Sequence, residues 1–463
     1  MIDLTLAEVG AALGVEPTGD GDIVVTGIAV DSRTVRPGDL FVAIAGEHHD
    51  GHDHVAAAIA AGAVAVLAES IVEAPHVLVA DPIAALGVLA SAVLARLPHV
   101  TVIGLTGSSG KTSTKDLLAQ VLEPAGPTVA PAGSFNNELG LPLTVLTCTE
   151  DTRFLVLDMG ARGLGHIAYL CGIARPDVGV ELNVGTAHVG EFGGRAAIAE
   201  AKAELVGALP ATGVAVLNAD DPAVAAMADL TAARVVTFGF GQADVRCLEL
   251  TLDQLARPAF VLEYAGRRAS VGLCLSGEHM AANATAAAAV GVALGLDLDD
   301  IAAALSQATA RSPWRMEVTT TESGVVIVND AYNANPDSVR AALKALVAMR
   351  GQGRTWAVLG EMLDLGEDSL TEHDAVGRLA VRLDVSRLLA VGEGARAIHM
   401  GAAHEGSWGE ESAWVPDVDA AVELLVAEVG PGDVVLVKAS RGAGLERVAN
   451  RLIESGELGR GVG

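Results

Sequence analysis

The chain of 463 residues is 51% hydrophobic, with 53 glycines and only 3% aromatic residues, a composition that suits α/β units with small-residue helix packing and excludes disorder. A formal net charge of −28 disfavours nucleic acid or an anionic membrane surface as a partner. The length allows about three domains, and four scattered cysteines (Cys148, Cys171, Cys247, Cys274) with no C-x-x-C spacing fit a reducing cytoplasm.

The first residues, MIDLTLAEVGAALGVEP, carry acids early and lack a basic segment followed by an apolar core, so no signal peptide is expected. Short alternating segments follow (DIVVTGIAV, DLFVAIAG, GAVAVLA, HVLVA), separated by turn signals such as Pro37-Gly38-Asp39. Asp31-Ser32-Arg33 follows a strand end. The run 55–68 is too short and too rich in Ala and Gly to span a bilayer and reads as helix, glycine turn, strand. The polar run EHHDGHDH (47–54) has no metal-ligand spacing, and Asp50 or Asp53 makes a natural helix cap. Pro98 closes this first unit, 1–98.

The central unit, 99–313, opens with TVIGLTGSSGKTSTKDLLAQVL (101–122), which predicts strand, phosphate loop and helix. Free N–H groups and the positive dipole end of the helix converge on Gly107, Ser108, Ser109, Gly110, Lys111 and Thr112, with Ser113 just inside the helix. Lys111 would place a point charge on the terminal phosphates of a nucleotide, and the Thr112 hydroxyl would ligate Mg²⁺. Leu105 stands where the longer form of this loop has glycine, so the loop is the shorter G-x-x-G-K-T type; an ordinary Gly/Ser turn capping a helix is the competing reading. Asn136-Asn137-Glu138 lies in a loop punctuated by Gly and Pro. FLVLDMG (154–160) is a strand ending in Asp158, placed where such folds bind Mg²⁺ or orient its water. DVGVELNVG (177–185) delivers Asn183 and then His188 to a loop at a strand C-terminus, and puts Glu181 inside an apolar strand. In the helix 195–209, Lys202 falls on the apolar stripe with Ile198, Leu205, Val206 and Leu209: either a snorkelling lysine or a desolvated one with a lowered pKa. Asn283 opens an Ala-rich helix.

The third unit, 314–463, alternates VVIVND, TWAVLG, RLLAVG and DVVLVKAS with helices, which predicts a Rossmann-like parallel sheet of four strands. Asn335-Pro336 is a cap and first-turn pair. Asp330, Glu361, Lys438 and Ser440 fall at strand C-ends facing one crevice.

The blocks TGSSGKTSTK, SFNNELGLP, NVGTAHVGEFG, AEAKAEL, GEHMAANA, NDAYNANPDS, VLGEMLDLG and VLVKASR, in one order over nearly the whole chain, resemble the Mur ligases of peptidoglycan synthesis. The resemblance implies a cytoplasmic, three-domain α/β enzyme with a central phosphate-loop ATPase domain, using ATP and two Mg²⁺ ions to form an amide bond. NDAYNANPDS and VLGEMLDLG point within the family to UDP-N-acetylmuramoyl-tripeptide and D-alanyl-D-alanine as substrates of a chain acting as a monomer. Another amino-acid ligase of the family, and a catalytically idle nucleotide-binding relative, are the alternatives. By the same resemblance, Ser32, Arg33, Asn136 and Asn137 would contact the UDP-linked substrate, Asn283, Arg315 and Asp330 the ATP, and Asn335, Lys438 and Ser440 the dipeptide. One Mg²⁺ would sit at Thr112 and Asp158. A second would sit at His188 and Lys202, the latter carbamylated so that it can ligate a cation. Asp158 stands where the family more often has Glu.

Overall fold

The computed structural model describes residues 1–46, 49–131, 133–185, 194–407 and 409–455. The first unit pairs Leu4–Thr5 antiparallel with Val24–Val25, and lays Gly27–Ala29, Asp39–Val42, Ala65–Ala68 and His76–Leu78 side by side as a four-stranded parallel sheet. Helix Val55–Ala61 ends at left-handed Gly62 before the strand Ala65–Ala68, as the run 55–68 predicts. Helix Pro82–Ala95, capped by Asp81, ends just before the Pro98 boundary. Its Leu86, Leu89 and Val93 share one core with Leu40 and Leu67 of the first unit and with Leu155, Leu157 and Leu170 of the central one. The first two units are therefore joined by continuous apolar packing.

The central sheet has nine strands, ordered from Arg267–Gly272 at one edge to Thr128–Val129 at the other. Its middle strands are continuous apolar runs because both faces are covered. The strand Thr101–Thr106 lies between Val178–Glu181 and Phe154–Asp158, all parallel, with Thr106 opposite Glu181 and Leu105 opposite Asp158. That register brings three strand ends to one place. Helix Lys111–Leu122 packs against helix His279–Ala293, whose fully buried Ala286, Ala287, Ala288 and Ala289 allow close approach.

The third sheet has six strands where the sequence predicts four: Glu317–Thr320 and Ser412–Val415 are added at its two edges, the first antiparallel. Both are short, and EVTT is too polar to read as a strand. The last strand, Val434–Lys438, inserts between Val326–Asn329 and Thr355–Leu359. Among the described residues, no helix is long and apolar enough to cross a membrane.

Candidate active site

The phosphate loop is built as its glycines require. Gly110 has φ +82°, and a Cβ there would stand 2.6 Å from Asn283 Oδ1; a Cβ on Gly107 would stand 2.8 Å from Leu182 Cβ. Asn183 fastens the loop from the neighbouring strand: its carbonyl accepts from Ser108 N–H at 3.0 Å, its Oδ1 from Ser109 N–H at 3.0 Å, and its Nδ2 donates to Ser109 O at 3.1 Å. Lys111 Nζ donates back to Gly107 O at 2.7 Å. Burial pushes this ammonium below its ordinary value; Asp158 and Glu181 oppose the shift and Arg315 adds to it. Leu105 is fully buried in the sheet, so the turn begins only at Gly107.

Thr112 and Asp158 meet under the loop, with Thr112 Oγ1 donating to Asp158 Oδ2 at 3.3 Å. Ser134 Oγ donates to the same oxygen at 3.2 Å. Asp158 is fully buried, and its Oδ1 has no partner among the described residues. An orphaned carboxylate oxygen beside a hydroxyl suits a hard divalent cation. Arg315 Nη2 donates to Thr112 Oγ1 at 3.2 Å, and its guanidinium lies 4.3 Å from the Tyr332 ring centre. Trp314 and Met316, on either side of Arg315, take φ values of 58° and 49°. Non-glycine residues rarely occupy that region, which marks a segment held in place by its surroundings.

Lys202 is only 6% exposed, which overturns snorkelling and leaves the desolvated reading. Burial, then Lys111, lower its pKa, against Glu181 and Asp158. Glu181 is fully buried with neither carboxyl oxygen partnered among the described residues, and burial raises its pKa. His188, the expected second metal residue, lies outside the described residues. In the polar run of the first unit, Asp50 Oδ1 accepts from His52 N–H at 2.9 Å as a cap, while Glu47 and His48 lie outside the described residues. Among the described residues, no three His, Cys, Asp or Glu side chains are grouped to hold a metal.

The third unit reaches the loop directly. Asn335 caps helix Pro336–Ala348, accepting from Ser338 N–H at 2.8 Å, while its Nδ2 donates to Ser108 O at 3.4 Å. Lys438 and Ser440, expected at the dipeptide, are instead buried at 2% and 3% exposure. Lys438 Nζ donates to Asp330 Oδ2 at 2.6 Å and to Asn333 O at 2.8 Å. Ser440 Oγ donates to Ala334 O at 3.3 Å and accepts from Leu363 N–H at 3.0 Å. Asp330, expected at ATP, is thus committed to Lys438, and also accepts from Met316 N–H at 3.1 Å. Asn283 stands behind Gly110. These groups brace the site from behind.

One cleft of about 530 Å³ gathers the rest: Gly107 to Ser113, Asn136, Asn137, Lys202, Arg315 and Asn335 all line it. Ser134, Arg162, His166, Tyr332 and Asp364 line it too and were not singled out; Ser134, Tyr332 and Asp364 lie within the signature blocks SFNNELGLP, NDAYNANPDS and VLGEMLDLG, whereas Arg162 and His166 sit in a loop and at a helix start with no such block. Ser32 and Arg33 are outside this lining, and Arg33 Nη2 pairs with Asp31 Oδ2 at 2.7 Å on the surface.

The sequence matches three family patterns in order: "Mur ligase family, catalytic domain" over residues 24–102, "Mur ligase middle domain" over 105–291, and "Mur ligase, glutamate ligase domain" over 314–441. It is 50% identical to the UDP-N-acetylmuramoyl-tripeptide–D-alanyl-D-alanine ligase of Mycobacterium tuberculosis, over 99% of each chain. Its fold superposes on MurF from Acinetobacter baumannii with a TM-score of 0.88 and 32% identity, covering 98% of this chain and 99% of the other. MurF ligase from Thermotoga maritima in complex with ADP gives a TM-score of 0.81 at 32% identity, over 94% and 98%.

Proposed function

The chain belongs to the Mur ligase family, and from that membership we propose that it joins D-alanyl-D-alanine to UDP-N-acetylmuramoyl-tripeptide at the expense of ATP, forming the pentapeptide precursor of peptidoglycan. The observation that supports this best is the single cleft lined by the phosphate loop, the Asn136–Asn137 loop, Lys202 and the third unit. Two anions, a peptide carboxylate and the γ-phosphate, must meet in a protein of net charge −28. The loop N–H groups seat the phosphates, and Lys111 Nζ turns from Gly107 O to the terminal ones. Arg315 lies within reach of the same place. Mg²⁺ held by Thr112 and Asp158 would screen the phosphate charge. Asn136 and Asn137 orient the tripeptide, whose carboxylate becomes an acyl phosphate; the dipeptide amine then displaces phosphate. Packing of the third unit on Ser108 and Thr112 keeps water from that intermediate.

Lys202 is the group we assign to carbamylation. Only a neutral amine adds CO₂, and burial favours the neutral amine here. The resulting carboxylate would hold a second Mg²⁺ together with His188. Ser32 and Arg33 are left for the uridine end of the substrate, outside the cleft. The cleft draws its lining from all three units of one chain, which supports action as a monomer, and reliance on ATP with four free cysteines supports a cytoplasmic setting. The test is phosphate release from ATP with UDP-N-acetylmuramoyl-tripeptide, with and without D-alanyl-D-alanine. Release that needs both, with a matching mass gain on the tripeptide, is expected; release independent of the dipeptide would overturn the assignment.

A further inference from the structure

Among the described residues, the lysines and arginines that line the cleft are Lys111, Arg162, Lys202 and Arg315. Three of them already have a task. Lys111 donates to Gly107 O and serves the phosphates, Arg315 donates to Thr112 Oγ1 and lies over the Tyr332 ring, and Lys202 is assigned to carbamylation. The Arg162 guanidinium has no hydrogen bond, ion pair or ring contact among the described residues, although carboxylates stand in the same lining. We propose that Arg162 holds a carboxylate of the tripeptide limb other than the one that reacts, an inference that rests on the ligase reading above.

An unpaired arginine at a surface is ordinarily just solvated; the loop that carries this one sets it apart. It leaves the C-terminal end of strand Phe154–Asp158 and is fastened on two sides. On one side lies the Asn136–Asn137 loop, assigned to the tripeptide. Gly160 N–H donates to Asn136 O at 2.8 Å, and a Cβ on Gly160 would stand 2.9 Å from Asn136 Nδ2, so the two loops lie edge to edge. On the other side is helix Arg195–Gly207, which carries Lys202. Its Glu204 accepts from Gly165 N–H at 2.5 Å and from Ala168 N–H at 2.9 Å, at the start of helix His166–Ile173. Between these anchors Arg162 N–H donates to His166 Nδ1 at 3.3 Å. The backbone of Arg162 is thus tied to the neighbours of both the tripeptide and the metal-binding groups. Glu204 occupies N–H groups of the helix start, which leaves the guanidinium as the anion-binding group of this loop.

The chemistry of the limb supplies the anion. One relative from Acinetobacter baumannii is named for a substrate that ends in alanyl-D-glutamyl-2,6-diaminopimelate. Such a limb keeps two carboxylates after the reacting one is set aside, one on the glutamyl residue and one on the diaminopimelate side chain. A guanidinium matches either with two parallel N–H donors. The uridine diphosphate is the other anion of the substrate, but its end is assigned to Ser32 and Arg33, outside the cleft.

The experiment measures steady-state ligation by full-length wild type, Arg162→Gln and Arg162→Lys on three tripeptide nucleotides. One carries D-glutamate and diaminopimelate, one has the glutamyl carboxylate amidated, and one has lysine in place of diaminopimelate. A nucleotide that turns over too slowly is read as a competitive inhibitor of the first. With the complete limb, Arg162→Gln is expected to raise KM for the nucleotide about tenfold or more, while kcat and KM for ATP stay within about twofold, as for lost uniform binding. Arg162→Lys keeps the charge and recovers part of the loss. In the wild type, removing the carboxylate that Arg162 holds costs as much, and Arg162→Gln adds nothing further to it. That pattern with the amidated limb assigns the glutamyl carboxylate, and with the lysine limb the diaminopimelate one. Unchanged KM in Arg162→Gln would overturn the proposal. So would losses that simply add for both altered limbs, which would place Arg162 on the diphosphate instead. A wild type that ligates none of the three nucleotides would sink the ligase reading itself.

Discussion

Gly110 is the residue on which nucleotide binding turns most sharply. Its left-handed φ costs a side-chain-bearing residue about 1–2 kcal/mol, and the added carbon would press on Asn283 Oδ1. Asn283 is buried at 7% exposure, which leaves its side chain little room to give way and passes the strain to the loop. Gly110→Ala is therefore expected to weaken ADP binding by about tenfold or more, since 1.4 kcal/mol is a factor of ten, with a smaller effect on the melting temperature. Calorimetric titration with ADP checks it, and unchanged affinity would refute the geometry. This position was legible from the spacing of Gly107, Gly110 and Lys111, because a tight turn into a helix is a local event. The role of Asn283 as a buttress was not, for its neighbour lies far away in sequence.

At the scale of elements, the third sheet depends on Asp433, which directly precedes the strand inserted last into its middle. Its Oδ1 accepts from Arg354 N–H at 2.7 Å, and its Oδ2 from Trp356 Nε1 at 3.0 Å and Gly430 N–H at 3.1 Å. Burial alone would raise its pKa, but these donors, with the Arg354 guanidinium, outweigh burial and hold it below the ordinary 3.8. A carboxyl depressed in the folded state stabilises above its unfolded pKa, and that contribution is lost as pH falls through the folded value. Asp433→Asn should thus cost about 1.5–3 kcal/mol at neutral pH, as for hydrogen bonds to a charged group. The gap between variant and wild type should close in acid, below pH 3.8. Urea unfolding at pH 7 and in acid measures it; a gap independent of pH would show the carboxylate charge to be irrelevant. The strand VVLVK was readable as an apolar run, whereas its central place between two earlier strands was not.

Across the whole molecule, one buried cluster ties the nucleotide-binding helix to the end of the central unit, just before the third begins. Lys115, fully buried, pairs with Asp116 at 2.8 Å and donates to Gly133 O at 3.1 Å. Asp116 Oδ2 accepts from Ser312 N–H at 2.9 Å, and Ser312 Oγ from Gly133 N–H at 3.0 Å. Asp116→Ala would strand a buried ammonium and free the linker at once, so a loss of about 3–5 kcal/mol is expected, read as a lower denaturant midpoint together with a raised KM for ATP. Loss of stability without any change in KM would mean that the cluster is merely structural. By itself the sequence determined the phosphate loop, the alternation of strands and helices in three units, and the groups at strand ends, because turn chemistry and apolar period are properties of neighbouring residues. Tertiary structure alone decided that Glu181 and Lys202 are both buried and within electrostatic reach of each other, that Lys438 and Ser440 are buried outside the cleft lining, and that Asp364 lines it. Those relations join residues far apart in the chain, and burial, direction and charge at each depend on which strands the crossovers place side by side.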